Sequence, residues 1–257
     1  MAVTLAVFLS TGNSLDIDQN QLATIVQEVL KKYTKPNNDQ RELPMFSLAV
    51  SIPKSGDSYD VAAGPDNGVA VKNAMLKCEV YTGTKVVGAI HLKLDDFTQT
   101  HCPEKVDNIN EHAEYRTLQG LKAIKNNDNF KDLMLFFVYA APCPQKCTQP
   151  GDGGILNSIQ QITKWNNYAV VFSKLFIPKV GEKPTKSIRE QSLRNLTSSG
   201  KIGLKNIFRC DYISGRMQCV SCSTDGGVTH YCVSDKEPKQ RSRGEKDEDG
   251  WTVVGKG

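Results

Sequence analysis

Two short stretches hold the residues best suited to chemistry, His112-Ala113-Glu114 and Pro142-Cys143-Pro144-Gln145-Lys146-Cys147. Together they offer one imidazole, two thiols and a carboxylic acid that need not bind metal. A catalytic zinc keeps three protein ligands and one open position for water, and imidazole and thiolate are donors it accepts readily. His112, Cys143 and Cys147 are therefore the candidate ligands for Zn2+. Glu114 is the candidate to carry a proton to and from the water that such a metal acidifies.

These stretches form a site only if the elements around them bring them together. Leu22, Ile25, Val26, Val29, Leu30 and Tyr33 recur at helical spacing over residues 18–33, with Asp18 as N-cap and Lys31 and Lys32 near the end. Residues 45–52 read as a strand, and 54–74, which contain Gly56, Gly64, Pro65 and Gly68, read as loops. Residues 76–81 and 86–94 read as strands joined by a Thr82-Gly83-Thr84-Lys85 turn, with His91 a strand histidine facing a neighbour. From Glu111, the spacing of Ala113, Leu118, Leu121 and Ile124 predicts a helix of about 14 residues that the His-Ala-Glu triplet opens.

Residues 133–140 are apolar enough for a central strand covered on both faces, and Pro142 and Cys143 follow its C-terminal end. Beyond a Pro150-Gly151-Asp152-Gly153-Gly154 break, Ile155, Leu156, Ile159, Ile162 and Trp165 predict an amphipathic helix. A strand over 168–177, a helix over 187–196 and a last strand over 205–212 complete the series. Because a helix separates the last two strands, they should run parallel. The order predicts an α/β protein, a three-layer α/β/α sandwich around a mixed five-stranded sheet. In that arrangement His112, at a helix start, faces Cys143 and Cys147 just past a strand end. Glu114 lies about 200° round the helix from His112, away from the ligand direction yet within reach of a water.

The 257 residues, 39% of them hydrophobic, suffice for one core with appendages. The expected division is an N-terminal helical segment over 1–39, the zinc domain over 40–212, a Cys-rich extension over 213–235 and a flexible charged tail over 236–257. A net charge of +4 identifies no partner by itself. Locally the balance differs: Lys179, Lys183, Lys186, Arg189, Arg194, Lys201, Lys205 and Arg209 stand against only Glu182 and Glu190. Such a strip suits a phosphate backbone or a solvated helix face.

Residues 2–9 are apolar but follow no basic residue and make a poor signal peptide, and no segment approaches the roughly 18 apolar residues of a membrane helix. Thiolates that bind zinc must stay reduced, so the expected compartment is cytoplasmic or nuclear. The sequon Asn195-Leu196-Thr197 keeps secretion as the alternative. Cys210, Cys219, Cys222 and Cys232, with His230 nearby, are candidates for a second, structural zinc, for disulfides or for free thiols.

H-x-E and P-C on these elements resemble the signature of the cytidine deaminase-like superfamily, H-x-E followed by P-C-x-x-C. The resemblance covers roughly residues 40–212 in element order as well as motif. The parallel final strands look more like the APOBEC-type cytosine deaminases and tRNA adenosine deaminases. It implies zinc on His112, Cys143 and Cys147, Glu114 as proton shuttle, and hydrolytic deamination of cytosine to uracil in single-stranded DNA or RNA. The alternatives are adenine or a free nucleoside or nucleotide as substrate, and a catalytically silent binding protein on the same fold.

Two departures stand out: three residues, not two, separate the cysteines, and the glycine break interrupts what is usually a helix. They read as spacing variation and a loop insertion, and neither removes a ligand. Around the site, Asn108 and Asn110 are candidates to hydrogen-bond a base or ribose, and Tyr115 or Trp165 to stack on it. The asparagines serve equally as turn formers or caps, and Trp165 as core.

Overall fold

Asp18 starts helix α1 (Gln19–Thr34) by accepting hydrogen bonds from the Asn20 and Gln21 amides, while the Gln21 side chain accepts from the Asp18 N–H. This reciprocal cap satisfies otherwise orphaned donors. Leu22, Ile25, Val26, Val29 and Tyr33 are buried along one stripe, as their spacing requires. The computed structural model describes residues 15, 17–92, 111–124, 131–151, 153–178 and 181–234. Residues 2–9, Asn108, Asn110, Lys179 and the tail over 236–257 lie outside the described residues.

Strand β1 (Phe46–Ile52) follows, then a hairpin of β2 (Lys54–Ser55) and β3 (Ser58–Tyr59), helix α2 (Gly68–Leu76), β4 (Tyr81–Thr82) and β5 (Val86–Ile90). Next come α3 (Ala113–Gly120), β6 (Leu133–Ala140), β7 (Asn167–Lys174), α4 (Lys186–Ser198), β8 (Ile207–Ile213) and β9 (Arg216–Ser221), and last a ribbon of β10 (Ser223–Thr224) and β11 (Gly227–Val228). One sheet runs in the order β4-β5-β1-β6-β7-β8-β9. The β6–β7 and β7–β8 pairs are parallel and the others antiparallel, so the sheet is mixed and its late strands are parallel as expected.

Alternation along β6 gives the sheet two apolar faces. Leu133, Leu135 and Phe137 pack with Leu22, Val26, Val29, Val71 and Met75 on one face. Met134, Phe136 and Val138 pack with Leu118, Leu193 and Leu196 on the other. The result is the three-layer α/β/α arrangement, with α1 and α2 opposite α3 and α4.

The sheet has seven strands rather than five. One addition is the two-residue edge strand β4, and the other is β9, supplied by the stretch read as a Cys-rich extension. Residues 54–74, read as loops, form a hairpin and α2, which ends at Leu76 and so removes most of the strand expected over 76–81. Asn67 caps α2 by accepting from the Val69 and Ala70 amides. At Gly68 a Cβ would collide with the Lys32 carbonyl, so the glycine that reads as a breaker is what lets α2 start against the end of α1. The amphipathic helix expected from Ile155 is instead turns and a 3-10 helix over Ile159–Lys164. Ile159, Ile162 and Trp165 are all buried at a spacing of three, which the three-residue period of that helix satisfies.

The last four cysteines are paired as Cys210–Cys219 and Cys222–Cys232. Of the three alternatives open for them, a second structural zinc, disulfides or free thiols, the structure has the disulfides, and Cys210 and Cys219 are direct cross-strand partners in the β8–β9 register. Cys222 and Cys232 are brought together by the turn through β10 and β11.

Candidate active site

His112 is the N-cap of α3, with an extended backbone (φ −68°, ψ 145°), so its ring leaves the chain before helical geometry begins. Cys143 and Cys147 lie in the turn just beyond β6, which the parallel register with β7 carries up to Ala140. His112 Nδ1 is 3.0 Å from the Cys147 sulfur and 3.4 Å from the Cys143 sulfur, and the two sulfurs are 3.4 Å apart. All three residues are buried, and these donor atoms lie within 4.8 Å of one another. On a tetrahedral zinc with bonds of about 2.0–2.3 Å, donor atoms sit on the order of 3.5 Å apart, so the three present a set that one ion could bridge.

Glu114 is wholly buried, its Oε1 3.8 Å from the Cys147 sulfur and its Oε2 without a hydrogen-bond partner among the described residues. Burial pushes its carboxyl up to about 7, against the smaller opposing pull of its own backbone hydrogen bond and of His112. The helical angle between positions 112 and 114 does not separate the two side chains, because His112 is outside the helix proper. Cys143 is held well below the usual thiol range by its hydrogen bond with Cys147, and by His112 and the Cys147 N–H at 3.3 Å. Cys147 is pushed up by the same sulfur–sulfur hydrogen bond and by burial. One thiolate is thus favoured next to the N-terminal end of α3.

Several residues outside the motifs hold this geometry. Arg116 ties α3 down by donating to the Ile90 and Cys78 carbonyls, at 2.7 Å each. The Cys147 carbonyl accepts from the Ile155 N–H at 2.8 Å, which folds the glycine break back over the cysteine turn. A Cβ at Gly154 would lie 2.5 Å from the Gln149 carbonyl oxygen, so the break is a tight closure of that turn. Thr148 is braced from α4 by Ser192 and Asn195. The His91 ring packs on the His112 ring at 4.6 Å between centroids, so the neighbour it faces is the candidate ligand itself.

The proposed substrate contacts fare differently. Trp165 is core, 3% exposed, with its indole N–H donating to Ser51. Tyr115 is half-buried against the cluster that contains Cys143 and Cys147. Within the basic strip, Arg209 is buried and donates to the Ser173, Tyr231 and Ser234 carbonyls, and Arg189 to that of Val233. Lys183, Lys186, Arg194, Lys201 and Lys205 remain exposed.

A family model described as Secreted Novel AID/APOBEC-like Deaminase 1 matches residues 19–236. No curated protein matches the chain. The expected cytoplasmic or nuclear location is overturned: that family is described as secreted, and the Cys210–Cys219 and Cys222–Cys232 disulfides belong to an oxidising exterior.

Proposed function

The chain belongs to this family of secreted AID/APOBEC-like deaminases, and from that premise we propose that it is a zinc-dependent hydrolytic deaminase converting cytosine to uracil in single-stranded nucleic acid. His112, Cys143 and Cys147 would hold the ion, a donor set that matches the metal's preference for imidazole and thiolate. Zinc supplies Lewis acidity that makes water a nucleophile near neutral pH.

The observation that carries the reading is the buried Glu114 carboxylate, its Oε2 without a hydrogen-bond partner among the described residues, beside the donor cluster. A metal held only for structure has no use for it. A buried acid whose proton affinity is raised toward neutrality can carry the two protons of the attacking water in turn, the first to the ring nitrogen and the second to the amino group, which leaves as ammonia. His91 and Arg116 keep His112 and the start of α3 in place while this happens. The exposed lysines at positions 183, 186, 201 and 205 support a polyanionic substrate through sequence-independent attraction.

The test is to incubate zinc-loaded protein with single-stranded DNA, RNA, cytidine and adenosine and to follow products by chromatography. Uracil and ammonia should appear, and Glu114→Gln should lower the rate by about 10²–10⁴-fold while one zinc per chain is retained. Loss of adenine in place of cytosine would keep the reaction class and overturn the base. If no substrate is deaminated and Glu114→Gln behaves as wild type throughout, the enzymatic reading fails.

A further inference from the structure

The sequon Asn195-Leu196-Thr197 takes no part in the chemistry above, yet it lies on the helix that braces the cysteine turn. α4 holds Thr148, the residue after Cys147, at two points. Its carbonyl accepts from the Asn195 side-chain amide at 2.9 Å, and its hydroxyl shares a 2.9 Å hydrogen bond with that of Ser192. Thr148 passes the restraint on, since its N–H and hydroxyl both reach the Cys143 carbonyl, at 3.2 and 3.4 Å. The Asn195 side-chain oxygen accepts from Gln191 at 2.8 Å, so both ends of the amide are engaged.

N-glycosylation acts on the same nitrogen. Transfer from an oligosaccharide carried on a polyprenyl diphosphate breaks one Nδ2–H bond, forms an Nδ2–C1 bond and releases the polyprenyl diphosphate and a proton. The Thr148 carbonyl lies 2.9 Å from that nitrogen, so a sugar ring bonded there is crowded against the residue that follows Cys147. Asn195 is only half-buried, while its neighbour Leu196 is wholly buried and keeps this stretch of α4 against the core.

We propose that Asn195 is a positioning residue for Cys143 and Cys147, and that a glycan on Asn195 and a formed metal-binding turn exclude one another. This rests on the zinc reading above. It matters because a secreted chain meets the glycosylation machinery.

The experiment secretes the full chain from a eukaryotic cell and separates glycosylated from unglycosylated molecules on a lectin. Zinc content and the rate of zinc loss to a chelator are then measured, with glycan occupancy read by peptide mass. Zinc-bearing molecules should carry no glycan on Asn195. Thr197→Ala, which removes the sequon but keeps Asn195, should lose zinc at the wild-type rate. Asn195→Asp and, independently, Ser192→Ala should lose zinc about tenfold faster or more, the scale of outer-sphere effects on metal affinity.

A glycan on Asn195 in molecules that keep zinc as wild type does overturns the exclusion. A lower thermal midpoint with an unchanged zinc-loss rate in both variants marks a merely structural role and overturns the positioning. If neither wild type nor any variant binds zinc, the metal reading is what fails.

Discussion

Cys143 and Cys147 carry the free thiols among the described residues, 3.4 Å apart, whereas Cys78, Cys210, Cys219, Cys222 and Cys232 are all in disulfides. In an oxidising exterior that contrast calls for protection, and a thiolate committed to a metal is withdrawn from attack on another disulfide. Stripping zinc with a chelator and adding oxidised glutathione should therefore close a Cys143–Cys147 disulfide, two protons and two electrons passing to the glutathione. Alkylation followed by peptide mapping reads the outcome. The zinc-loaded chain should keep both thiols alkylatable after denaturation, and retention of both in the stripped chain would sink the idea. The same pair shows what was legible residue by residue. Imidazole, thiols and a non-ligand acid announce their chemistry by type, so His112, Glu114, Cys143 and Cys147 could be found from their spacing. Nothing about the types of His91, Ser192 or Asn195 distinguishes a residue beside the site from one on any strand or helix, and only the fold brings them there.

Arg116 is the joint between elements on which the start of α3 depends. Its guanidinium bridges the end of β5 at Ile90 and the end of α2 at Cys78, and burial lowers its proton affinity only from a very high starting point. Arg116→Met keeps the aliphatic stem but leaves two carbonyls without their charged donor. At roughly 1.5–3 kcal/mol per hydrogen bond to a charged group, a loss of about 3 kcal/mol or more should follow. For a chain of this size that corresponds to a fall of about 6–12 °C in Tm, and a shift under about 2 °C would show that the joint carries no load. α2, to which this joint ties α3, also marks where the sequence misleads. Gly68 reads as a breaker because its missing Cβ raises the cost of helix, yet its contact with the Lys32 carbonyl is what allows two helices to approach. Residues 155–165 mislead in the opposite sense, since apolar positions three and four apart fit an α-helix and a 3-10 turn alike until packing on β7 chooses. β1, β6, β7, α1 and α4 were legible because their patterns are long and continuous. β9 is not, because the cysteines in and beside it have spacings that suit metal ligands as well as cross-strand partners.

For the molecule as a whole, α1 is fastened to the rest through its C-terminal turn, where Lys32 donates to the Val61 and Gly64 carbonyls and Tyr33 is 1% exposed beside Gly64. Burial, with the negative Asp66 and then Tyr81 adding to it, pushes the Tyr33 hydroxyl well above its usual value. The folded state thus holds this proton more tightly than the unfolded chain, which releases it near pH 10. The stability that follows is complete below that pH and is lost as the pH rises above it. Urea midpoints of wild type should fall more steeply between about pH 9 and pH 11 than those of Tyr33→Phe, a range set at one unit either side of the ordinary tyrosine value. Parallel curves would refute the assignment. A different consequence follows from the place of β6 at the middle of the sheet. Its partner β1 precedes it in the chain, but β7 on its other side is not made until residue 167. While the polypeptide is being synthesised, the eight-residue edge Leu133–Ala140 is thus complete on one side and bare on the other. Long apolar edges of this kind recruit other chains. A fragment ending before β7 should therefore pellet on centrifugation under conditions in which the full chain stays in solution, the bare edge recruiting further copies.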